Sequence, residues 1–283
     1  MTSPSESYYP SMKTATLNAP TPNLRIVPVD HVHPHETHDT QRAQPLLERI
    51  RHAEVLTNPP IVAPIPGGEY VLLDGANRHY CFAALGYKHI LVQVVEYESE
   101  YVELGVWKHV LRDWERVVFV NELHQQFGDQ LHIGWERDVA AQIMMQDGKT
   151  LAIQCDCHTM PERNEILREL VQLYHPHVRL NRTSLVEPSE IWSLYPDAFA
   201  VVIFPHYTPA DIVSAAQQDA MLPPGVSRHI IHGRALKLNY SLDLLREDAS
   251  LEAKNMTLSA WLKDKVANRG MRYYAESTYQ FDE

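Results

Sequence analysis

The sequence predicts a mixed α/β fold of the α+β kind, arranged as two units. Three observations carry this. Short apolar runs of strand length alternate with segments of helical spacing through residues 24–97. A second, looser alternation of the same kind follows from about residue 101. The chain has 283 residues and is 45% apolar, enough for one large domain or two modest ones with a substantial core. The expected division is a tail over 1–22, a first unit over 23–100 and a second over 101–283.

Residues 1–22 are rich in Ser, Thr and Pro and read as a flexible tail. Leu24 to Val29 reads as the first strand, and His31 to Arg42 as a polar loop dense in histidine. Leu46, Leu47 and Ile50 fall at helical spacing and predict a helix over Pro45 to Ala53. Asn58-Pro59-Pro60 ends it, and Ile61-Val62-Ala63 opens another strand. Pro66-Gly67-Gly68 is a turn leading into a strand over Tyr70 to Leu73. A helix over Ala76 to Leu85 and a strand over Ile90 to Val95 complete the first unit. In the second, strands are expected at Val117 to Phe119, Thr150 to Ile153, Ala200 to Phe204, His229 to Ile231 and Ala235 to Leu238. Helices are expected at Pro161 to Tyr174, Pro209 to Asp219 and Leu258 to Asn268.

Composition narrows the function. No apolar run approaches the ~20 residues that span a bilayer, and the N-terminal stretch lacks the pattern of a signal peptide. Three cysteines are too few for a disulfide framework, so a cytoplasmic setting is expected. A formal charge of −11 argues against general nucleic-acid binding, which needs Lys and Arg for phosphate contacts. Walker-type loops, a Gly-rich dinucleotide fingerprint and a Gly-x-Ser-x-Gly elbow are all missing.

The segment with most chemical content is Tyr70-Val71-Leu72-Leu73-Asp74-Gly75-Ala76-Asn77-Arg78. A strand ends in Asp-Gly and a helix opens at once. Gly75 lets backbone approach a ligand, and the free N–H groups of Ala76, Asn77 and Arg78 attract anions. Arg78 adds a fork of donors suited to phosphate, and Asp74 a hard oxygen suited to Mg²⁺ or a substrate hydroxyl. Asp-Gly is also an ordinary turn, and an Arg at a helix start is often solvated.

Two further clusters bear chemistry. Val32-His33-Pro34-His35-Glu36-Thr37-His38-Asp39 places a carboxylate among imidazoles. Glu36 is the candidate general base, which His35, His38 and Asp39 would orient or join in binding a metal. Pro224-Gly225-Val226-Ser227-Arg228-His229 offers hydroxyl, guanidinium and imidazole donors behind a Gly turn. Each of these stretches is also compatible with a solvated loop. Cys155-Asp156-Cys157-His158 lacks the second pair of ligands that a structural zinc site needs, and Cys81 reads as a small packing residue.

Taken together, His35-Glu36, Asn58-Pro59-Pro60-Ile61-Val62, Leu73 to Arg78, Leu85-Gly86-Tyr87-Lys88 and Val92 to Tyr97 resemble the ParB/sulfiredoxin-like superfamily. More narrowly they resemble its free serine kinases, in particular the SbnI-like branch of siderophore biosynthesis. Gly225 through Leu236 is similar to that family's late Gly-x-Thr/Ser-Arg-His segment, and Arg272-Tyr273-Tyr274 through Phe281-Asp282-Glu283 to the branch's ending. The resemblance implies a ParB/sulfiredoxin-like first domain, a second α/β domain and an active site in the cleft between them. It implies phosphorylation of free L-serine to O-phospho-L-serine, with ATP or ADP as donor and Mg²⁺ as helper. The product would feed 2,3-diaminopropionate and siderophore synthesis. By carry-over, Glu36 and Asp74 are catalytic, Asp74 also touching the metal, directly or through water. Gly75, Ala76, Asn77 and Arg78 hold the nucleotide phosphates, and Trp107, Ser227, Arg228 and His229 the serine. Many relatives carry His where this chain has Asn77, which removes any cationic role there.

Two other classes compete. A ParB-like DNA-binding protein would need a basic recognition helix, and none is evident. A nucleotide- or haem-responsive regulator is compatible with the 16 histidines. A sulfiredoxin-like reductase would need a Cys in the turn that Ala76-Asn77 occupies.

Overall fold

A computed structural model describes residues 19–136, 139–157 and 159–274. The first unit runs β1 (Asn23–Pro28), β2 (Val32–Pro34), α1 (Thr40–His52), β3 (Val55–Leu56), β4 (Ile61–Ile65), β5 (Glu69–Asp74), α2 (Ala76–Ala84) and β6 (His89–Val94). There follow β7 (Val102–Val106), β8 (Lys108–Arg112), α3 (Arg116–Phe127), β9 (Leu131–Ile133), β10 (Ala141–Met145), β11 (Thr150–Ile153) and α4 (Met160–Tyr174). The chain continues through β12 (Arg179–Thr183), α5 (Pro188–Leu194), β13 (Ala200–Ile203), α6 (Pro209–Gln217) and β14 (Ser227–Ile231). It ends in β15 (Tyr240–Ser241), α7 (Leu242–Arg246) and α8 (Leu251–Ala267).

Two main sheets result. The first is five-stranded and mixed, in the order β1-β6-β4-β5-β2, and the second six-stranded and antiparallel, in the order β12-β8-β13-β10-β11-β9. A ribbon of β7 and β14 stands apart from both. Side chains alternate along β5, so its two faces meet different cores. Val71 and Leu73 pack with Phe119, Leu123 and Tyr174 of the second unit. Leu72 packs the other way, with Phe82, Ile90, Tyr240, Leu242 and Leu258. The end of the chain therefore returns to the first unit. There α8 covers edge strand β1, and the Asn255 amide takes the Ile26 N–H at 3.0 Å and gives its own N–H to the Ile26 carbonyl at 2.9 Å. That pairing satisfies an edge that would otherwise be open.

Several elements depart from the sequence reading. The run Val117 to Phe119 is helical, not extended, because Phe119, Leu123 and Phe127 recur every fourth residue and bury one stripe of α3. Val117 and Val118 are left exposed. The stretch Ala235 to Leu238 forms no strand, since Lys237 and Asn239 adopt positive φ (53° and 54°). Cys155 and Cys157 lie with Cα atoms 4.9 Å apart; His158 lies outside the described residues. So do residues 1–18 of the expected tail, and Phe281, Asp282 and Glu283.

Helix α1 begins at Thr40, five residues ahead of the expected start. Asp39 is its N-cap, with its carboxylate accepting from the Gln41 and Arg42 N–H groups. Asp39→Ala should cost about 1 kcal/mol. In a chain of this size that lowers Tm by roughly 2–4 °C, which a thermal melt would register.

Candidate active site

Strand β5 ends at Asp74, and Gly75 turns the chain into α2 at φ 103°. A Cβ at Gly75 would lie 3.1 Å from the Pro60 Cβ, so both the backbone angle and the space favour glycine. No side chain caps α2. Its first N–H groups open on a cleft of about 670 Å³, which Gly75, Ala76, Asn77 and Arg78 line. The start of α1 borders the same cleft through Asp39 and Arg42, and Asn77 Oδ1 ties the two helix starts together by accepting the Asp39 N–H at 2.9 Å. Two helix dipoles thus present their positive ends to one space.

Glu36 lies on this cleft. Its position is set by the loop after α6. The Leu222 N–H donates to the His35 carbonyl, and the Thr37 N–H to the Leu222 carbonyl, both at 2.8 Å. The Gly225 N–H donates to Glu36 Oε2 at 3.2 Å, and Ser227 Oγ lies 3.3 Å from the same oxygen. Behind the loop, the buried His109 donates from Nε2 to the Gly225 carbonyl at 2.8 Å and accepts the Tyr174 hydroxyl at Nδ1, 2.6 Å away. Burial raises the Glu36 pKa to about 7, against the opposing pull of Arg182 and the Gly225 N–H.

Asp74 lines the cleft with Glu36. Burial works to raise its pKa, but Arg234 and Arg78 outweigh that and hold the carboxylate below its usual value. Both guanidinia reach the same oxygen, Oδ2: Arg78 at 3.2 Å and Arg234 at closer range. Arg78 Nη1 donates to the Asn58 and Pro59 carbonyls, at 2.6 and 3.1 Å. Its Nη1 is thus engaged by backbone carbonyls, and its Nη2 by Asp74.

Strand alternation divides the remaining candidates. Ser227 and His229 share one face of β14. Ser227 meets Glu36, and His229 accepts the Tyr97 hydroxyl at 2.8 Å and meets the His35 ring at a centroid distance of 5.3 Å. Burial pushes the His229 pKa down to about 3, so the ring is neutral. Arg228 points to the reverse face, where its guanidinium stacks on Trp107 at 4.6 Å from the ring centre. None of the four residues expected to hold the serine, Trp107, Ser227, Arg228 and His229, lines the cleft itself; Ser227 and His229 lie behind Glu36, and Arg228 and Trp107 on the far side of β14.

Arg182 on β12 is a residue the sequence reading missed. It enters the cleft from the second unit and lies against Gly225, where a Cβ would collide with its guanidinium. Arg42 and Arg49 from α1 line the same space. Among the described residues none of these three arginines has a carboxylate partner within 4 Å. Nothing in the stretch Arg179-Leu180-Asn181-Arg182-Thr183 announces such a role.

No cluster of three His, Cys, Asp or Glu side chains suited to a metal occurs among the described residues. The donor set does not amount to a protein cage. Asp74 beside an anion site suits a Mg²⁺ that arrives with phosphates and keeps its waters.

No family model matches the chain. The ATP-dependent L-serine kinase SbnI of Staphylococcus aureus (strain NCTC 8325 / PS 47) is 26% identical over 268 residues, 91% of this chain and 96% of that protein. The chain is a homologue of the L-serine kinases. An ATP-dependent L-serine kinase of Staphylothermus marinus is 37% identical over 83 residues, 29% of this chain and 33% of that one. Among solved structures, C-terminally truncated SbnI aligns with a TM-score of 0.70 at 21% identity, covering 86% of this chain and 97% of that one. A free serine kinase in complex with AMP aligns at 0.66 and 17% identity, covering 80% and 95%. This kinase homologue therefore shares its mixed α/β fold with both across most of its length. No helix among its described residues is long and apolar enough to cross a membrane.

Proposed function

We propose that the protein transfers the terminal phosphoryl group of ATP to the hydroxyl of free L-serine, giving O-phospho-L-serine. The observation that carries this reading is the placing of Glu36, with a pKa near 7, on the same cleft as the uncapped start of α2. The likeness to the kinase of S. aureus over 91% of the chain supports it.

In this reading the nucleotide's phosphates lie over Gly75 to Arg78. The apolar end of the cleft, with Leu46, Ile50, Leu56 and Phe82, receives the base. Arg182, with Arg42 and Arg49, supplies the charge that phosphoryl transfer needs at its oxygens. Arg78 and Arg234 hold Asp74 in place beside the reacting groups. Serine enters between the two units with its hydroxyl at Glu36, and Ser227 and His229 border its site. Trp107 and Arg228 form a second layer behind β14. Mg²⁺, carried on the phosphates and facing Asp74 through water, neutralises charge there. The reaction belongs in the cytoplasm, where ATP is made available, and its product would supply 2,3-diaminopropionate synthesis.

Incubation with serine, Mg²⁺ and either ATP or ADP, read by mass spectrometry, tests the proposal. Phosphoserine is expected with ATP. Its absence with both donors would reject the reading. The acid limb of the rate profile should fall near pH 7, because only the ionised form of Glu36 accepts a proton.

A further inference from the structure

The sequence offers His35 among the groups that would orient Glu36 or bind a metal, and the structure shows it 2% exposed and hydrogen-bonded at both ring nitrogens. Its Nδ1 lies 2.6 Å from the Leu72 carbonyl oxygen. A carbonyl only accepts, so Nδ1 carries the ring hydrogen. Burial pushes the His35 pKa down to about 4, which leaves the ring neutral and Nε2 with a lone pair. Ser227 Oγ lies 2.6 Å from that Nε2. The hydroxyl must therefore donate to it, and a hydroxyl has one hydrogen to give. Ser227 Oγ also lies 3.3 Å from Glu36 Oε2, a contact in which a free hydroxyl hydrogen would donate to the carboxylate and lower its pKa. With its hydrogen turned to His35, it offers Glu36 only lone pairs. That contact suits a protonated carboxyl and opposes a carboxylate.

We propose that His35 is a positioning residue for Glu36: by holding the Ser227 hydrogen it turns that oxygen's lone pairs toward the carboxyl group and makes Glu36 a stronger base. The catalytic consequence rests on the kinase reading. In the transfer, the substrate O–H bond breaks and a Glu36 O–H bond forms as the serine oxygen bonds to phosphorus. The bond from phosphorus to the bridging oxygen breaks, and that oxygen leaves with the electron pair on the nucleoside diphosphate. Glu36 then holds a proton that Ser227 Oγ is already oriented to accept as a hydrogen bond. Product release returns this proton to solvent. The other groups facing the pair are Arg182 from β12, Asp74 at the end of β5 and the neutral His229 on β14.

The test is a titration of the Glu36 carboxyl in the full chain by isotope-edited infrared difference, with Glu36→Gln as the blank. His35→Leu frees the Ser227 hydrogen to donate to the carboxylate, and the Glu36 titration should fall by about one pH unit. Ser227→Ala removes the opposing lone pairs and should lower it by less. Adding His35→Leu to Ser227→Ala should move it no further. His35→Gln, which restores an acceptor, should bring it back toward the wild type. The acid limb of phosphoserine formation should shift in parallel, with the plateau rate of His35→Leu down roughly tenfold as the base weakens. A packing role for His35 would lower the rate without moving the limb. Should His35→Leu fail to fold, Ser227→Ala decides alone. A titration that stays in place or rises in these variants overturns the proposal. If the wild type makes no phosphoserine at any pH, the kinase reading falls while the infrared titration still decides the His35 role.

Discussion

Replacing Glu36 with Gln is expected to slow phosphoserine formation by ~10²–10⁴-fold, the usual contribution of a positioned general base. The amide keeps the shape of the protonated acid. Its oxygen can accept the Gly225 N–H and its nitrogen can donate to Ser227 Oγ, so the loop after α6 has no reason to move. Stability gives an internal control. Glu36 ionises near 7 in the folded protein, against an ordinary value of 4.5. A raised acid pKa means that folding favours the protonated form. That stability is fully present below pH ~4.5 and is lost as pH rises through 7. Gln never ionises and escapes the loss, so at pH 8 the variant should melt no lower than the wild type. A variant with full melting temperature and near-normal rate would remove Glu36 from the chemistry. Low activity with a depressed Tm would point instead to damage.

The second large effect concerns Arg182. Arg182→Met keeps much of the side chain's length and loses its charge. The rate should drop ~10²–10³-fold, the range found when one preorganised donor is taken from a developing oxyanion. Its pH profile supplies a separate signature. Arg182 is the main charge pulling the Glu36 pKa down against burial, so without it the acid limb should move above 7. That direction is opposite to the one expected for His35→Leu. Steady-state kinetics over pH 5.5–9 would register both. A limb that stays near 7 would mean that the guanidinium and Glu36 do not sense each other.

Much of the first unit was legible because its signals are local. An apolar run, Asp-Gly and helical spacing sit within nine residues at 70–78, and the structure has a strand, a turn and a helix there. The same holds for α4 and α6, expected over Pro161 to Tyr174 and Pro209 to Asp219 and found over Met160–Tyr174 and Pro209–Gln217. Failures occurred where distant contacts decided. Val117 and Val118 look extended by residue type, and only the burial of Phe119, Leu123 and Phe127 against the second sheet makes that segment helical. In the candidate site, the turn at 74–78 and the carboxylate at 36 could be singled out from spacing. Arg182 could not, because its relation to Gly225 spans 43 residues of sequence and depends on β12 pairing with β8. Nor could spacing reveal that Arg78 is satisfied by carbonyls of residues 58 and 59.

The return of α7 and α8 to the first sheet bears on how the protein is made. The face carrying Leu72, Ile90 and Val92 is completed by Tyr240, Leu242 and Leu258. On a ribosome, the strands emerge some 150 residues before those partners do. For that interval a sticky, half-finished layer stands open to neighbours, and each doubling of the intervening chain delays closure only modestly in entropy. Holding chaperones should therefore engage the nascent chain most strongly between synthesis of the first sheet and arrival of α8.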